Sequence, residues 1–178
     1  MKTIYLAGVC FWWTEHYISQ FEGVVETTVG YANGSVKDPA YEQVYTDQTG
    51  HVEGAKVEYD EEMISLATLC RLYFRSIDPL LLNRQGEDIG TRYRTGIYWT
   101  DPEDQPIVEA IFEEVQHGYS EPLAVEKGPL KCFYPGEEYH RKYLVKNPQG
   151  YCHLSLSLLK SAMIYSQIVK ELRANSDE

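Results

Sequence analysis

Apolar and polar positions along the chain fall into a short series of strands and helices. An apolar run, Ile4-Tyr5-Leu6-Ala7, predicts a first strand over roughly residues 3–8, and a helix follows over about residues 14–21. The β-branched stretch Val24-Val25-Glu26-Thr27-Thr28-Val29-Gly30-Tyr31 predicts a second strand, and the alternating Ala55-Lys56-Val57-Glu58-Tyr59 a third. Leu66, Leu69, Cys70, Tyr73 and Phe74 then recur at helical spacing behind Ser65, which has the chemistry of an N-cap. Gly96-Ile97-Tyr98-Trp99 reads as a fourth strand. Asp101-Pro102 opens another helix, whose stripe is Ile107, Val108, Ile111, Phe112 and Val115 and whose stop is Gly118; Pro106 falls near its first turn. Leu123 to Lys127 reads as a fifth strand, and the chain is then irregular until a last helix over about residues 157–172.

The order of the leading elements, β-α-β-β-α-β, is that of a split βαβ unit. The fold class is therefore α+β: a ferredoxin-like two-layer sandwich with long loops and an added C-terminal helix. One domain spans residues 1–178, with a divergent helical tail over 154–178. Two polar stretches are left over, residues 32–50 and 78–94. Loops of that length in a compact domain usually carry function.

Composition narrows the class of protein. Charged residues make up 24% and hydrophobic residues 43%, ordinary values for a globular chain. The formal charge of −11 comes without a basic stripe, which argues against nucleic acid and anionic membrane surfaces as partners. No run is long enough to span a bilayer, and the N-terminus enters a strand with no signal-peptide core, so a cytoplasmic protein is expected. The four cysteines, Cys10, Cys70, Cys132 and Cys152, show no C-x-x-C pairing, and no metal site is expected. Cys70 shares the apolar face of its helix and reads as buried and inert.

Cys10 is different. It lies between a strand end and a helix start, beside Phe11-Trp12-Trp13. Backbone N–H groups at a helix start lower a thiol pKa, and the aromatics offer an apolar wall. On residue types alone, Cys10 reads either as an activated thiol or as a small core hydrophobe.

The wider pattern weighs on that choice. Gly8-Val9-Cys10-Phe11-Trp12, Val29-Gly30-Tyr31-Ala32, Tyr41-Glu42-Gln43-Val44 and Thr49-Gly50-His51-Val52-Glu53 occur in that order. Leu82-Asn83-Arg84-Gln85-Gly86, Asp88-Ile89-Gly90-Thr91-Arg92-Tyr93-Arg94, Phe133-Tyr134-Pro135-Gly136-Glu137-Glu138-Tyr139-His140 and Asn147-Pro148-Gln149-Gly150-Tyr151 follow. Together these segments resemble the A-type peptide methionine sulfoxide reductases over about residues 3–152.

The resemblance implies a cofactor-free, monomeric reductase of the S-epimer of methionine sulfoxide, free or in oxidised proteins, recycled by thioredoxin. Reduction of a sulfoxide needs a nucleophile at sulfur and an acid for the poor oxygen leaving group. The resemblance makes Cys10 the nucleophile, passing through a sulfenic acid. It makes Phe11 and Trp12 the pocket for the S-methyl group, and Glu53 an acid kept protonated by an apolar site. Tyr41 and Tyr93 become donors to the same oxygen, and Asp88 a supporting group. Cys152 is the first candidate to resolve the sulfenic acid by a disulfide, and Cys132 the second. His51, His140, Glu137 and Glu138 are left outside the catalytic set.

Two positions depart from the family pattern: Val9 stands where glycine is usual, and Trp13 where small residues are usual. The Trp13 indole is expected to narrow the pocket, extend its wall or close on the substrate. Two rival readings follow from the same residues. One is a Cys10/His51 acyl-transfer hydrolase, and the other a module that binds oxidised methionine without turnover.

Overall fold

The computed structural model describes residues 1–8, 10–85, 88–140 and 146. Strand β1 (Lys2–Ala7) leads into helix α1 (Phe11–Ile18), strand β2 (Val24–Ala32), helix α2 (Tyr41–Tyr45), strand β3 (Val52–Tyr59) and helix α3 (Leu66–Arg75). A two-residue hairpin, β4 (Arg84–Gln85) and β5 (Asp88–Ile89), precedes β6 (Gly96–Trp99), α4 (Gln105–Gln116), β7 (Glu126–Pro129) and β8 (Phe133–Pro135). β3 lies between β1 and β2 and is antiparallel to both, and β6 is antiparallel to β1 on the other side. The run β6-β1-β3-β2 is therefore the split βαβ arrangement, widened by β7 beside β6 and β8 beside β2.

Period-two alternation sorts β1 between two environments. Ile4 and Leu6 enter the main core with Val57 and Tyr59 of β3, Ile97 and Trp99 of β6, and residues of α1, α3 and α4. Tyr5 and Ala7 face the other way, with Ala32, Val52, Tyr98, Leu130 and Phe133. Burying a side chain such as Ile4 or Leu6 stabilises by about 1.5–3 kcal/mol. Ser65 caps α3 as expected, its hydroxyl accepting from the Thr68 N–H at 3.1 Å, and Cys70 is fully buried on that helix.

Several boundaries differ from the sequence reading. α1 begins at Phe11 rather than Thr14, because the Trp13 and Thr14 N–H groups bond the Cys10 carbonyl at 3.0 and 3.2 Å. Bulky aromatics open a helix here because tertiary packing outweighs propensity. β3 begins three residues early, at Val52, which places Glu53 on a strand. The stretch 32–50 contains α2, opened by the Gln43 side chain accepting from the Ala40 N–H at 2.8 Å. Residues 78–94 carry the β4–β5 hairpin and a 3-10 turn, Thr91–Tyr93. The fifth strand lies at Glu126–Pro129, where β6 supplies a parallel partner. The segment read as irregular forms β8 on the exposed edge of β2. Pro106 is tolerated in the first turn of α4, where its missing N–H has no partner to lose. The predicted helix 157–172 lies outside the described residues.

Candidate active site

The chain must reverse between β1 and α1 within three residues, and Gly8 makes that possible. Its φ is +98°, and a Cβ there would stand 2.6 Å from the Thr95 Cα. Three bonds fix the turn: Thr14 Oγ1 donates to the Gly8 carbonyl at 3.0 Å, the Gly8 N–H to the Glu53 carbonyl at 3.1 Å, and the Tyr73 hydroxyl to the Ala7 carbonyl. Cys10 follows with extended backbone angles and acts as the N-cap residue of α1, its side chain buried. Val9 lies outside the described residues.

The expectation of a depressed Cys10 pKa is not met. Burial, and then the neighbouring Glu53 charge once that acid ionises, push the thiol well above its ordinary value. The Trp12 and Trp13 N–H groups at the helix start pull it down, as the helix argument requires, but desolvation is the larger effect. Cys10 therefore rests as a thiol.

Glu53 is only 2% exposed. Its Oε1 sits 3.5 Å from the Phe11 N–H, and its Oε2 has no hydrogen-bond partner among the described residues. Burial raises its pKa to about 8, with Asp88 and Asp47 adding to the rise and the Phe11 N–H and Arg92 opposing it. At neutral pH the carboxyl is mostly protonated, as the sequence reading expects.

Tyr41, the first residue of α2, is raised to about 12, by burial first and then by Glu53 and Cys10. Tyr93 ends the 3-10 turn and is raised further, by burial and then Glu53. Both are neutral phenols within the electrostatic reach of the acid. Tyr93 is held by Arg92, whose guanidinium lies 4.4 Å from the Tyr93 ring and 4.2 Å from the Tyr45 ring. Arg92 is anchored in turn on Asp47 Oδ2 at 2.8 Å. Asp88, on β5, acts on Cys10, Glu53 and Tyr93 through its charge. Cys10, Glu53, Tyr41, Tyr93 and Asp88 thus come from five separate segments into one neighbourhood.

The three consecutive aromatics divide. Phe11 packs with Val29, Tyr31 and Val44, and Trp12 lies half-buried beside it at 6.3 Å. Trp13 turns into the main core and stacks on Tyr17 at 5.9 Å. The expectation that Trp13 reshapes the pocket is thereby corrected: helical geometry points it at the core.

The sequence reading underrated the segment after β8. His140 is 1% exposed and accepts from the Trp12 indole N–H at 3.1 Å, and its ring lies 5.1 Å from Phe11 and 4.7 Å from Tyr41. Glu137 accepts from the Tyr31 hydroxyl at 2.7 Å and from the Tyr41 N–H at 2.8 Å. The i,i+3 spacing of Glu137 and His140 was the available signal. His51 is structural, since Nδ1 accepts from the Gly34 N–H at 3.0 Å and Nε2 meets the Val36 carbonyl at 2.6 Å. Both ring nitrogens are engaged, which leaves the Cys10/His51 hydrolase without a base. Cys132 is partly buried against the Gly34 carbonyl, and Cys152 lies outside the described residues. Among the described residues no cluster of His, Cys, Asp and Glu could hold a metal, and no helix is long and apolar enough to cross a membrane.

A buried thiol, a protonated buried acid and two neutral phenols on a split-βαβ sheet describe an acid-bearing cysteine centre. The family model described as peptide methionine sulfoxide reductase matches residues 2–172. The peptide methionine sulfoxide reductase MsrA of Clostridium botulinum strain Hall is 51% identical over 156 residues, 88% of this chain and 99% of that protein. The crystal structure of Mxr1 from Saccharomyces cerevisiae in reduced form superposes with a TM-score of 0.81 at 40% identity, covering 85% of this chain and 88% of that one. Mxr1 in complex with Trx2 also matches, with a TM-score of 0.55 at 26% identity over 80% of this chain and 84% of that one. The chain belongs to the peptide methionine sulfoxide reductase family, and it is an oxidoreductase of methionine sulfoxide.

Proposed function

We propose that the protein is a peptide-methionine (S)-S-oxide reductase that repairs oxidised proteins and free methionine S-sulfoxide through a Cys10 sulfenic acid. The observation that carries this reading is Glu53, a buried carboxyl with a pKa of about 8 and one oxygen unpartnered among the described residues, next to a buried thiol. A sulfoxide oxygen leaves poorly unless protonated, and an acid that holds its proton at neutral pH meets that need.

Phe11 and Trp12 receive the S-methyl group. Glu53 donates its proton to the sulfoxide oxygen while the Tyr41 and Tyr93 hydroxyls hydrogen-bond the developing charge. The Cys10 sulfur takes the oxygen, the substrate S–O bond breaks, and the substrate sulfur gains two electrons to become a thioether. The thiol proton of Cys10 returns to Glu53, so the step releases none. Asp88 supports the raised Glu53 pKa through its charge.

Cys152 then attacks the sulfenic sulfur, and water leaves as a Cys10–Cys152 disulfide forms. A thioredoxin dithiol reduces that disulfide, a partner supported by the relative solved in complex with Trx2. One domain over residues 1–178, working as a cytoplasmic monomer, completes the reading.

The test is single-turnover reduction of the two separated methionine sulfoxide epimers, with thiols followed by mass spectrometry in wild type and Cys152→Ser. The expected result is one methionine per enzyme from the S-epimer alone, a Cys10–Cys152 disulfide in wild type and a sulfenic acid in the variant. A Cys10–Cys132 disulfide in wild type would transfer the resolving role. No methionine from either epimer overturns the reading in favour of a binding module.

A further inference from the structure

The pocket assigned to the S-methyl group is built partly from a half-buried indole, and a half-buried indole needs something to fix its orientation. The Trp12 N–H points at the Nδ1 of His140, 3.1 Å away. An indole nitrogen only donates, so the facing imidazole nitrogen must carry a lone pair. That assigns the hydrogen of His140 to Nε2, which faces Glu137 Oε2 at 3.5 Å. Glu137 is already engaged on both oxygens, by the Tyr31 hydroxyl and the Tyr41 backbone. Tyr31 is the register partner of Glu53 across the β2–β3 pair. A single turn after β8 thus touches the apolar wall through Trp12, the start of α2 through the Tyr41 backbone N–H and ring, and the strand neighbour of the acid.

We propose that His140 is a positioning residue for sulfoxide reduction, holding the Trp12 indole in its substrate-docking orientation through Nδ1 while Glu137 ties the same turn to Tyr41. The inference rests on the role given above to Trp12. Nothing in it requires His140 to touch the substrate.

The hold has a built-in protonation dependence. A proton on Nδ1 would confront the indole hydrogen with a second hydrogen, and the contact would open. Burial, the largest influence, keeps the ring neutral by lowering its pKa, against the pull of Glu137 on its own turn and Glu42 on α2. Among the described residues, the other rings packed on it are neutral: Tyr41, Tyr139, Phe11 and Trp12.

The experiment compares wild type, His140→Phe and His140→Asn in steady-state reduction of the S-sulfoxide of N-acetylmethionine amide. The indole N–H resonance of Trp12 is followed by NMR and assigned with Trp12→Phe. Asparagine presents its amide oxygen close to where Nδ1 stands, so it is the conservative variant. Loss of one hydrogen bond predicts that His140→Phe raises KM about fivefold to tenfold with kcat changed less than about twofold. The Trp12 indole resonance should move in His140→Phe and stay near its wild-type place in His140→Asn, where KM returns to within about threefold of wild type.

In wild type KM rises as pH falls below the ordinary imidazole value of about 6.5, whereas in His140→Asn that rise is absent. Equal KM increases in both variants, or an unmoved indole resonance in His140→Phe, overturn the proposal. If His140→Phe fails to fold, the pH profiles of wild type and His140→Asn decide. If wild type reduces neither epimer, the functional reading falls, and the indole resonances alone decide whether His140 holds Trp12.

Discussion

Cys10 and Cys70 are both buried thiols, and in both burial is the first cause of a raised pKa. Cys70 sits inside α3 among Leu66, Leu69 and Tyr73, in the main core. Cys10 sits where a strand turns into a helix, with the first N–H groups of α1 on one side and the Glu53 carboxyl on the other. The difference is one of neighbours rather than exposure. Around Cys70 the surroundings are apolar packing, with the Asp104 charge a secondary influence on the thiol. Around Cys10 they include an acid that keeps its proton, two phenols and an aromatic pair. Burial by itself does not separate a structural thiol from a reactive one, whereas a proton donor sharing the same buried space does.

The largest effect that could break this contrast is loss of the nucleophile. Cys10→Ser should lower kcat by about 10⁴-fold or more, while Cys70→Ser should change kcat less than about twofold and cost only about 1–3 kcal/mol in denaturant titration. Comparable kcat losses in the two variants would erase the distinction.

Next comes the acid. Glu53→Gln should slow sulfenic-acid formation in single turnover by about 10²–10³-fold with substrate binding largely kept. Its pH dependence carries a sign. The folded pKa, about 8, lies above the ordinary 4.5. Glu53 therefore contributes stability that is full below the unfolded value and lost as pH rises through 8. Thermal melts of wild type should fall relative to Glu53→Gln between pH 5 and 8, and wild-type turnover should decline above pH 8. Parallel melting curves across that window would contradict a protonated Glu53.

The phenols should matter less. Tyr41→Phe and Tyr93→Phe should each reduce kcat/KM by about 10-fold, since one donor to developing charge is lost while the ring remains. The smallest expected effect separates the two adjacent tryptophans. Trp13→Phe should lower stability by about 1–2 kcal/mol and leave KM within about twofold, because its indole belongs to the core. A large KM change would return Trp13 to the pocket.

Much of the framework was legible from residue pattern. The strand at Gly96–Trp99, the Ser65 cap, the burial of Cys70 and the β-α-β-β-α-β order all follow from alternation, helical spacing and local capping chemistry. The boundaries that shifted have tertiary causes. α1 starts at Phe11 because a positive-φ glycine and the Tyr73 hydroxyl hold the preceding turn. β8 exists because β2 offers an edge, and no local signal in Phe133-Tyr134-Pro135 announces that. Trp12 and Trp13 are indistinguishable as letters, yet about 100° of helical rotation buries Trp13 within the main core and leaves Trp12 half-buried between that core and the Phe11 cluster.

What the sequence determined by itself is the alternation of strands and helices, the cysteine at a strand-to-helix junction and, through the order of its motifs, the family. What only the tertiary structure decided is the electrostatic state of the centre. The helix start alone favours a depressed Cys10 pKa, but burial in the folded chain reverses it, and the Glu53 and Asp88 charges brought in by β3 and β5 add to the rise. The reason is physical: helix caps and periodicity act over a few residues and can be read locally. The cost of removing a charge from water depends on everything packed around it, and the chain assembles that environment from segments as far apart as Cys10, Glu53 and Asp88.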